Sequence, residues 1–259
     1  MIACRSQREL ERLRAANLLV ARVLALVKDA VAPGVTTATL DVLAERALRE
    51  AGALPAFKGY HGYPATICAS VNEQVVHGIP SDRELIAGDI ISIDLGALLH
   101  GYYGDAAVTV PVGRIGHMAA DLLRVTEESL WKGIEKVRVG ARVSDISHAV
   151  QTHVEAHGFS VVREFVGHGV GTALHEEPQI PNYGEPGRGP RLAEGMVLAI
   201  EPMVNLGKPA IKVLSDGWTA VTRDGSLSAH FEHSVVVSAA GPVVLSALEI
   251  PAHEAAVRS

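Results

Sequence analysis

One gap-free offset runs through the chain: it carries Gly34 onto Gly140, Leu40 onto Ile146, Leu48 onto Val154 and Gly52 onto Gly158. In each half a glycine precedes an amphipathic helical segment and a second glycine follows it. Such self-similarity points to two related α+β halves, each with two helices feeding an antiparallel sheet. The halves would meet at a pseudo-two-fold axis, and a cleft at that junction is a natural place for a site. Two unrelated helix pairs falling into step would produce the same four matches, so that alternative stays open here.

Local signals give the elements. Ser6 and Glu9 have the spacing of a capping box, and Leu10, Leu13, Val20, Leu24, Val27 and Val31 keep one apolar face of a long helix behind it. Pro33-Gly34 ends that helix. A second helix is predicted from about Thr39 to Ala51, a third from about Ala119 to Val137 and a fourth from about Ser144 to His157. Ile67 to Val71, Ile90 to Leu95 and Ala107 to Val110 read as strands.

With 259 residues, 48% hydrophobic and 20% charged, the chain can bury a sizeable core and is expected to form a single domain over 1–259. Its formal net charge of -6, with scattered basic residues, argues against a large nucleic-acid footprint. Charges at Arg5, Arg8, Glu9, Glu11, Arg12 and Arg14 break any secretory apolar region, and Arg22, Lys28 and Asp29 interrupt the apolar stretch from Leu18 to Val31 before it could span a membrane. Cys4 and Cys68 are too few and too far apart for a disulfide framework. A cytoplasmic protein with no nucleic-acid or membrane partner is expected. Its 12 histidines prompt a search for metal or proton chemistry.

Four acids lie inside apolar strand-like runs: Asp94 in Ile-Ser-Ile-Asp-Leu-Gly, Asp105 in Tyr-Gly-Asp-Ala-Ala-Val, Glu201 in Val-Leu-Ala-Ile-Glu-Pro and Glu232 just before Val235-Val236-Val237. An unpaired buried carboxylate is costly, so such residues usually face a metal or a charged partner. A hairpin centred near Leu99 and His100 would set Asp94 opposite Asp105, with Cβ atoms roughly 5 Å apart. Two like charges so close need a proton or a cation between them. Exposed strand ends would remove the difficulty for either Asp alone. His168 and His175 lie in Gly-His-Gly-Val-Gly-Thr-Ala-Leu-His-Glu-Glu-Pro, and His77 in Val-His-Gly-Ile-Pro. The glycines lack the spacing and following helix of a phosphate loop; they would instead let a His approach a crowded centre. Any one His is more often a structural group, but three beside four embedded acids shift the balance. Carboxylates with imidazole suit Mn, Fe(II), Co or Zn in a two-metal centre, and the reaction class that follows is metal-assisted hydrolysis, with an amide as the expected bond.

Asp94 and Asp105 with ten residues between them, then His168, Glu201 and Glu232, resemble the five-ligand set of the methionine aminopeptidases. Further segments carry the resemblance: Gly59-Tyr60-His61-Gly62-Tyr63-Pro64, Val71-Asn72-Glu73, His77-Gly78-Ile79-Pro80, His175-Glu176-Glu177-Pro178 and Ser226-Leu227-Ser228-Ala229. It runs from the first helix to about Ile250, and it looks like the bacterial type I branch. The implied fold is the pita-bread fold, with two pseudo-symmetric halves, an antiparallel sheet and outer helices. The implied activity is removal of the initiator methionine from nascent proteins when the second residue is small.

The resemblance also implies roles. Asp94 and Asp105 would hold one divalent ion, His168 and Glu201 the other, with Asp105 and Glu232 bridging. Glu201 would double as a proton shuttle, and His77 and His175 would contact the substrate and the tetrahedral oxyanion. Tyr60, Tyr63, Cys68 and Trp218 would line a methionine pocket, since a thioether favours aromatic edges; ordinary core packing is the alternative, above all for Cys68. Leu174, expected in the same pocket, stands where many relatives carry an aromatic. Phe57 stands where a smaller residue is common, and Ala106 replaces a frequent Thr. A monomer with transient ribosome contact is expected. A proline-directed peptidase of the same superfamily, or a catalytically dead binding relative, remain the alternatives; the first should lack the pocket pieces and the second should have lost ligands.

Overall fold

A computed structural model gives the fold for residues 2–248; the ends of the expected 1–259 domain, including the Ile250 end of the resemblance, lie outside the described residues. The four expected helices form as α1 (Gln7–Asp29), α2 (Thr37–Glu50), α3 (His117–Ile134) and α4 (Val143–Ala156). At the start of α1 the Glu9 carboxylate accepts from the Ser6 amide at 2.9 Å and the Ser6 hydroxyl at 2.7 Å. Helix α2 begins earlier than predicted because the Thr36 hydroxyl accepts from the Thr39 amide at 3.1 Å and caps it. Helix α3 ends earlier because residues 135–137 tighten into turns, with the Val137 amide on the Ile134 carbonyl at 2.9 Å.

The internal offset is a match of conformation. Gly34 and Gly140 have φ of 86° and 89°, and Gly52 and Gly158 have φ of 76° and 80°. Each lies in the left-handed region that side chains disfavour, so the glycines mark equivalent stops in the two halves.

Five strands run side by side within a nine-stranded sheet, in the order Ile90–Leu99, Tyr102–Pro111, Glu232–Ser238, Val197–Ile200 and Gly167–Gly169, each antiparallel to its neighbour. Alternation decides which face each residue meets. Ile91, Ile93, Leu95 and Ala106 turn toward α1 and α2 in one core; Leu198, Ile200, Val235 and Val237 turn toward α3 and α4 in the other, and Val108 packs against both. The acids have the opposite parity and face away from the helices. Two three-stranded sheets complete the architecture; one pairs Gln74–Val76 with Ala220–Thr222 and so flanks the same open face. No described helix is long and apolar enough to cross a membrane.

The first hairpin corrects an expectation. Its turn is His100-Gly101, with φ of 52° and 80°, and Leu99 pairs with Tyr102. Two left-handed residues make the tight turn whose twist matches the strands, and His-Gly supplies them. Asp94 is therefore opposite Ala107, and Asp105 opposite Gly96. The aspartates are diagonal neighbours rather than a facing pair, but they stay on one face because the register moves by an even step.

Candidate active site

Four of these strands present one acid or imidazole each to the open face, and Glu201 follows directly on the end of Val197–Ile200. Ala107 pairs with both Asp94 and Glu232, which sets these two beside Asp105. His233 pairs with Ile200, so Glu232 and Glu201 fall next to each other in the register, and His168 pairs with Ala199, two residues before Glu201. Adjacent strands lie about 4.8 Å apart, close enough for groups on one face to share a ligand. Ligand atoms of Asp105, His168 and Glu232 all fall within 4.8 Å of one another. His168 Nε2 lies 3.4 Å from Glu201 Oε1 and 3.8 Å from Asp105 Oδ2.

The glycines around His168 have a definite reason. A Cβ at Gly167 would stand 2.4 Å from the Ala199 carbonyl oxygen, and one at Gly169 would stand 2.3 Å from that of Glu177. Neighbouring backbones, rather than the centre itself, forbid side chains there. His168 Nδ1 lies 2.9 Å from the Gly169 carbonyl, which can only accept. Nδ1 therefore carries the proton and the Nε2 lone pair points at the acids, as a metal-ligating imidazole requires.

The electrostatics of the bare protein are strained. Burial pushes Asp94 up to about 7 and Glu201 up to about 8. Burial, then the neighbouring Asp94 and Glu201 charges, hold Asp105 well above the carboxylate range, and Glu232 is raised by burial and by Asp105, Glu201 and Asp94. Burial and the nearby His175 push His168 down to about 3. Asp94 Oδ1, Asp105 Oδ1 and Glu232 Oε1 are buried with no hydrogen-bond partner among the described residues. Three orphaned carboxylate oxygens around an unprotonated imidazole nitrogen fit divalent cations: a cation would satisfy the lone pairs and invert the repulsion that raises the acids.

Beside the acids lies a cavity of about 140 Å³, lined by Asp94, Asp105, His168, Glu201 and Glu232 and also by every other predicted site residue. Cys68 pairs across the strands with Asp94, and burial pushes its thiol well up, so it offers a neutral sulfur. Tyr63 is buried with its hydroxyl near the Ile67 and Gly78 carbonyls at 3.0 and 2.9 Å, and its ring meets Trp218 edge-on with centroids 5.1 Å apart. Leu174 is buried in the lining and packs in one apolar cluster with Tyr63 and Cys68. Phe57 packs over the backbone at Gly96, where a Cβ would stand 2.7 Å from its ring. His77 lies 6.3 Å from Trp218 between ring centroids and has φ of 59°, a left-handed backbone rare outside glycine; burial lowers its pKa to about 4. At the rim, His175 Nδ1 is 2.8 Å from the Tyr60 hydroxyl, and its ring is 4.3 Å from that of His168. Ala106 is not part of this cavity; it faces the helix side and lines a separate one of about 290 Å³.

Sequence reasoning missed His230. It is 1% exposed, and its Nε2 lies 3.5 Å from Glu201 Oε2. Its position two residues before Glu232 was the available signal, since strand alternation would put both on one face.

The profile of metallopeptidase family M24 matches residues 11–239. Methionine aminopeptidase 1 of Bacillus subtilis is 55% identical over 246 residues, spanning 95% of this chain and 99% of that protein. Methionine aminopeptidase of Clostridium acetobutylicum is 52% identical over 250 residues, spanning 96% and 100%. The crystal structure of methionine aminopeptidase from Rickettsia prowazekii aligns at a TM-score of 0.94 and 42% identity, over 95% of this chain and 100% of that one. The pseudo-symmetric halves and the helix-backed antiparallel sheet are those of the pita-bread fold. With that fold and these relatives over nearly its whole described length, the chain belongs to metallopeptidase family M24 and, within it, to the methionine aminopeptidases.

Proposed function

We propose that this chain, as one catalytic domain, removes the initiator methionine from nascent polypeptides in the cytoplasm when the second residue is small. It would act as a monomer in transient contact with the ribosome and engage neither nucleic acid nor membrane. The observation that supports the reading is a cavity whose lining joins Tyr63, Cys68, Leu174 and Trp218 to Asp94, Asp105, His168, Glu201 and Glu232.

Asp94 and Asp105 would hold one divalent ion and His168 and Glu201 a second, with Asp105 and Glu232 between them; Co, Mn, Fe(II) and Zn all suit this donor set. Bound ions would polarise the scissile carbonyl and lower the pKa of water. The chain's own residues supply the rest. Tyr63, Cys68, Leu174 and Trp218 receive the methionine side chain and exclude water from it. Burial keeps the Tyr60 phenol protonated, so it can donate to His175 Nδ1. His175 Nε2 then carries a proton and can donate to the carbonyl oxygen as charge develops there. His77, also kept neutral by burial, contacts the substrate amide from the other wall. Glu201 takes the proton of the attacking water and returns it to the leaving amine.

Release of free methionine from Met-Ala-Ser and Met-Leu-Ser, with metals restored to stripped protein, tests the proposal. Metal-dependent cleavage that is faster for Met-Ala-Ser is expected. No release at any metal loading, or a preference for proline at the second position whatever the first residue, would sink it.

A further inference from the structure

Arg5 lies outside every helix and strand, yet its side chain is only 9% exposed. One guanidinium nitrogen pairs with Glu176, and the other terminal nitrogen stands 3.6 Å from Glu9 Oε1 in the first turn of α1. The Arg5 amide donates to the Gly195 carbonyl at 2.8 Å, so its backbone is anchored as well. Glu176 turns its second oxygen to the loop before it: Oε1 accepts from the amides of Thr172 at 2.8 Å and Ala173 at 3.0 Å. That loop leads straight into Leu174 and His175. It opens at Gly171, where a Cβ would collide with the Arg5 guanidinium and stand 2.8 Å from Glu176 Oε1. The seat for Arg5 thus exists because residue 171 has no side chain.

We propose that Arg5 is a positioning residue for catalysis: through Glu176 it locks the Thr172–Ala173 turn and so sets where His175 meets the substrate. The inference rests on the role proposed above for His175. A carboxylate that must hold two amides in place is itself held by a charge-assisted bond from a fixed partner. The planar fork can serve Glu176 and Glu9 at once, which a lysine ammonium cannot do in the same geometry. A misplacement of about 1 Å at a reacting group can cost on the order of a hundredfold in rate.

The test compares Arg5→Ala, Arg5→Lys, Gly171→Ala and His175→Ala by steady-state kinetics on Met-Ala-Ser, with metal saturating and metal content measured. Arg5→Ala should lose about tenfold or more in kcat with KM within about twofold and metal content at the wild-type level. Arg5→Lys should recover part of the loss, and Gly171→Ala, which unseats the guanidinium, should reproduce it. Wild-type kcat in Arg5→Ala while His175→Ala is slow would overturn the clamp and leave the role of His175 standing. Wild-type kcat in His175→Ala would overturn that role itself. Loss of metal in Arg5→Ala would also overturn the proposal, since Arg5 would then support the ligands. Should Arg5→Ala fail to fold, wild-type kcat in both Arg5→Lys and Gly171→Ala would refute it.

Discussion

Stripping metal from the protein should make its stability fall as pH rises from 6.5 to 8. Asp94 and Glu201 have folded pKa values of about 7 and about 8, against ordinary values of 3.8 and 4.5. A carboxyl raised in the folded state contributes stability that is complete below its unfolded value and is lost as pH rises through its folded value. The window starts at 6.5 because buried His168, His77 and His233, lowered to about 3, 4 and 4, act in the opposite sense below it: there the unfolded chain takes up protons that the folded chain refuses. Above 6.5 the unfolded chain still sheds the rest of its histidine protons, so these groups, with His175 and His230, which burial also lowers, offset part of the loss while the acids set its sign. Integrating proton uptake across the window gives a loss of about 2 kcal/mol from Glu201 and Asp94 together, against a gain of about 1 kcal/mol from His168, His77 and His233. Asp105 and Glu232, both raised well above their ordinary values, add with the same sign. A net loss of about 1 kcal/mol or more is a substantial part of a total stability of about 5–15 kcal/mol. Denaturant unfolding of stripped protein at several pH values would read it, and Glu201→Gln should flatten the slope by about its own share. Saturating divalent ion should abolish or reverse the trend, because the charged acids then face a cation. Stripped protein whose stability is level or rising across the window would show that the acids are not held in a repelling, desolvated cluster.

Asp105→Ala and Glu232→Ala should reduce activity more than Asp94→Ala, because each is assigned to both ions; near-wild-type turnover in both at saturating metal would contradict the bridging assignment. His175→Ala should keep its metals, measured by elemental analysis, and lose on the order of a hundredfold in kcat, the size associated with one oxyanion donor. Gly169→Ala places a Cβ 2.3 Å from the Glu177 carbonyl oxygen and should destabilise the fold by about 1–3 kcal/mol, seen as a lower denaturant midpoint.

Much of the molecule is legible in the sequence because it is set by near neighbours along the chain. The Ser6–Glu9 cap and the glycines at 34, 52, 140 and 158 mark helix limits through local hydrogen bonding and left-handed backbone. The alternation Ile91, Ser92, Ile93, Asp94, Leu95 says that one face of a strand is apolar and the other is not. That alone makes a carboxylate on the polar face suspect. Which groups meet there is a different matter, decided by strand order and register over long separations. Glu232 and Asp94 share Ala107 as a partner only because the Glu232–Ser238 strand inserts between Tyr102–Pro111 and Val197–Ile200. The diagonal relation of Asp94 and Asp105 follows from a turn at His100-Gly101, a one-residue difference that alternation cannot detect. Spacing from Glu232 hints at the face of His230 but not at its neighbour Glu201, and Arg5 beside Glu176, across most of the chain, carries no local pattern at all. Sequence periodicity specifies the face on which a side chain stands; only the packed sheet specifies its neighbours, because those contacts form when distant strands are brought within about 4.8 Å of one another.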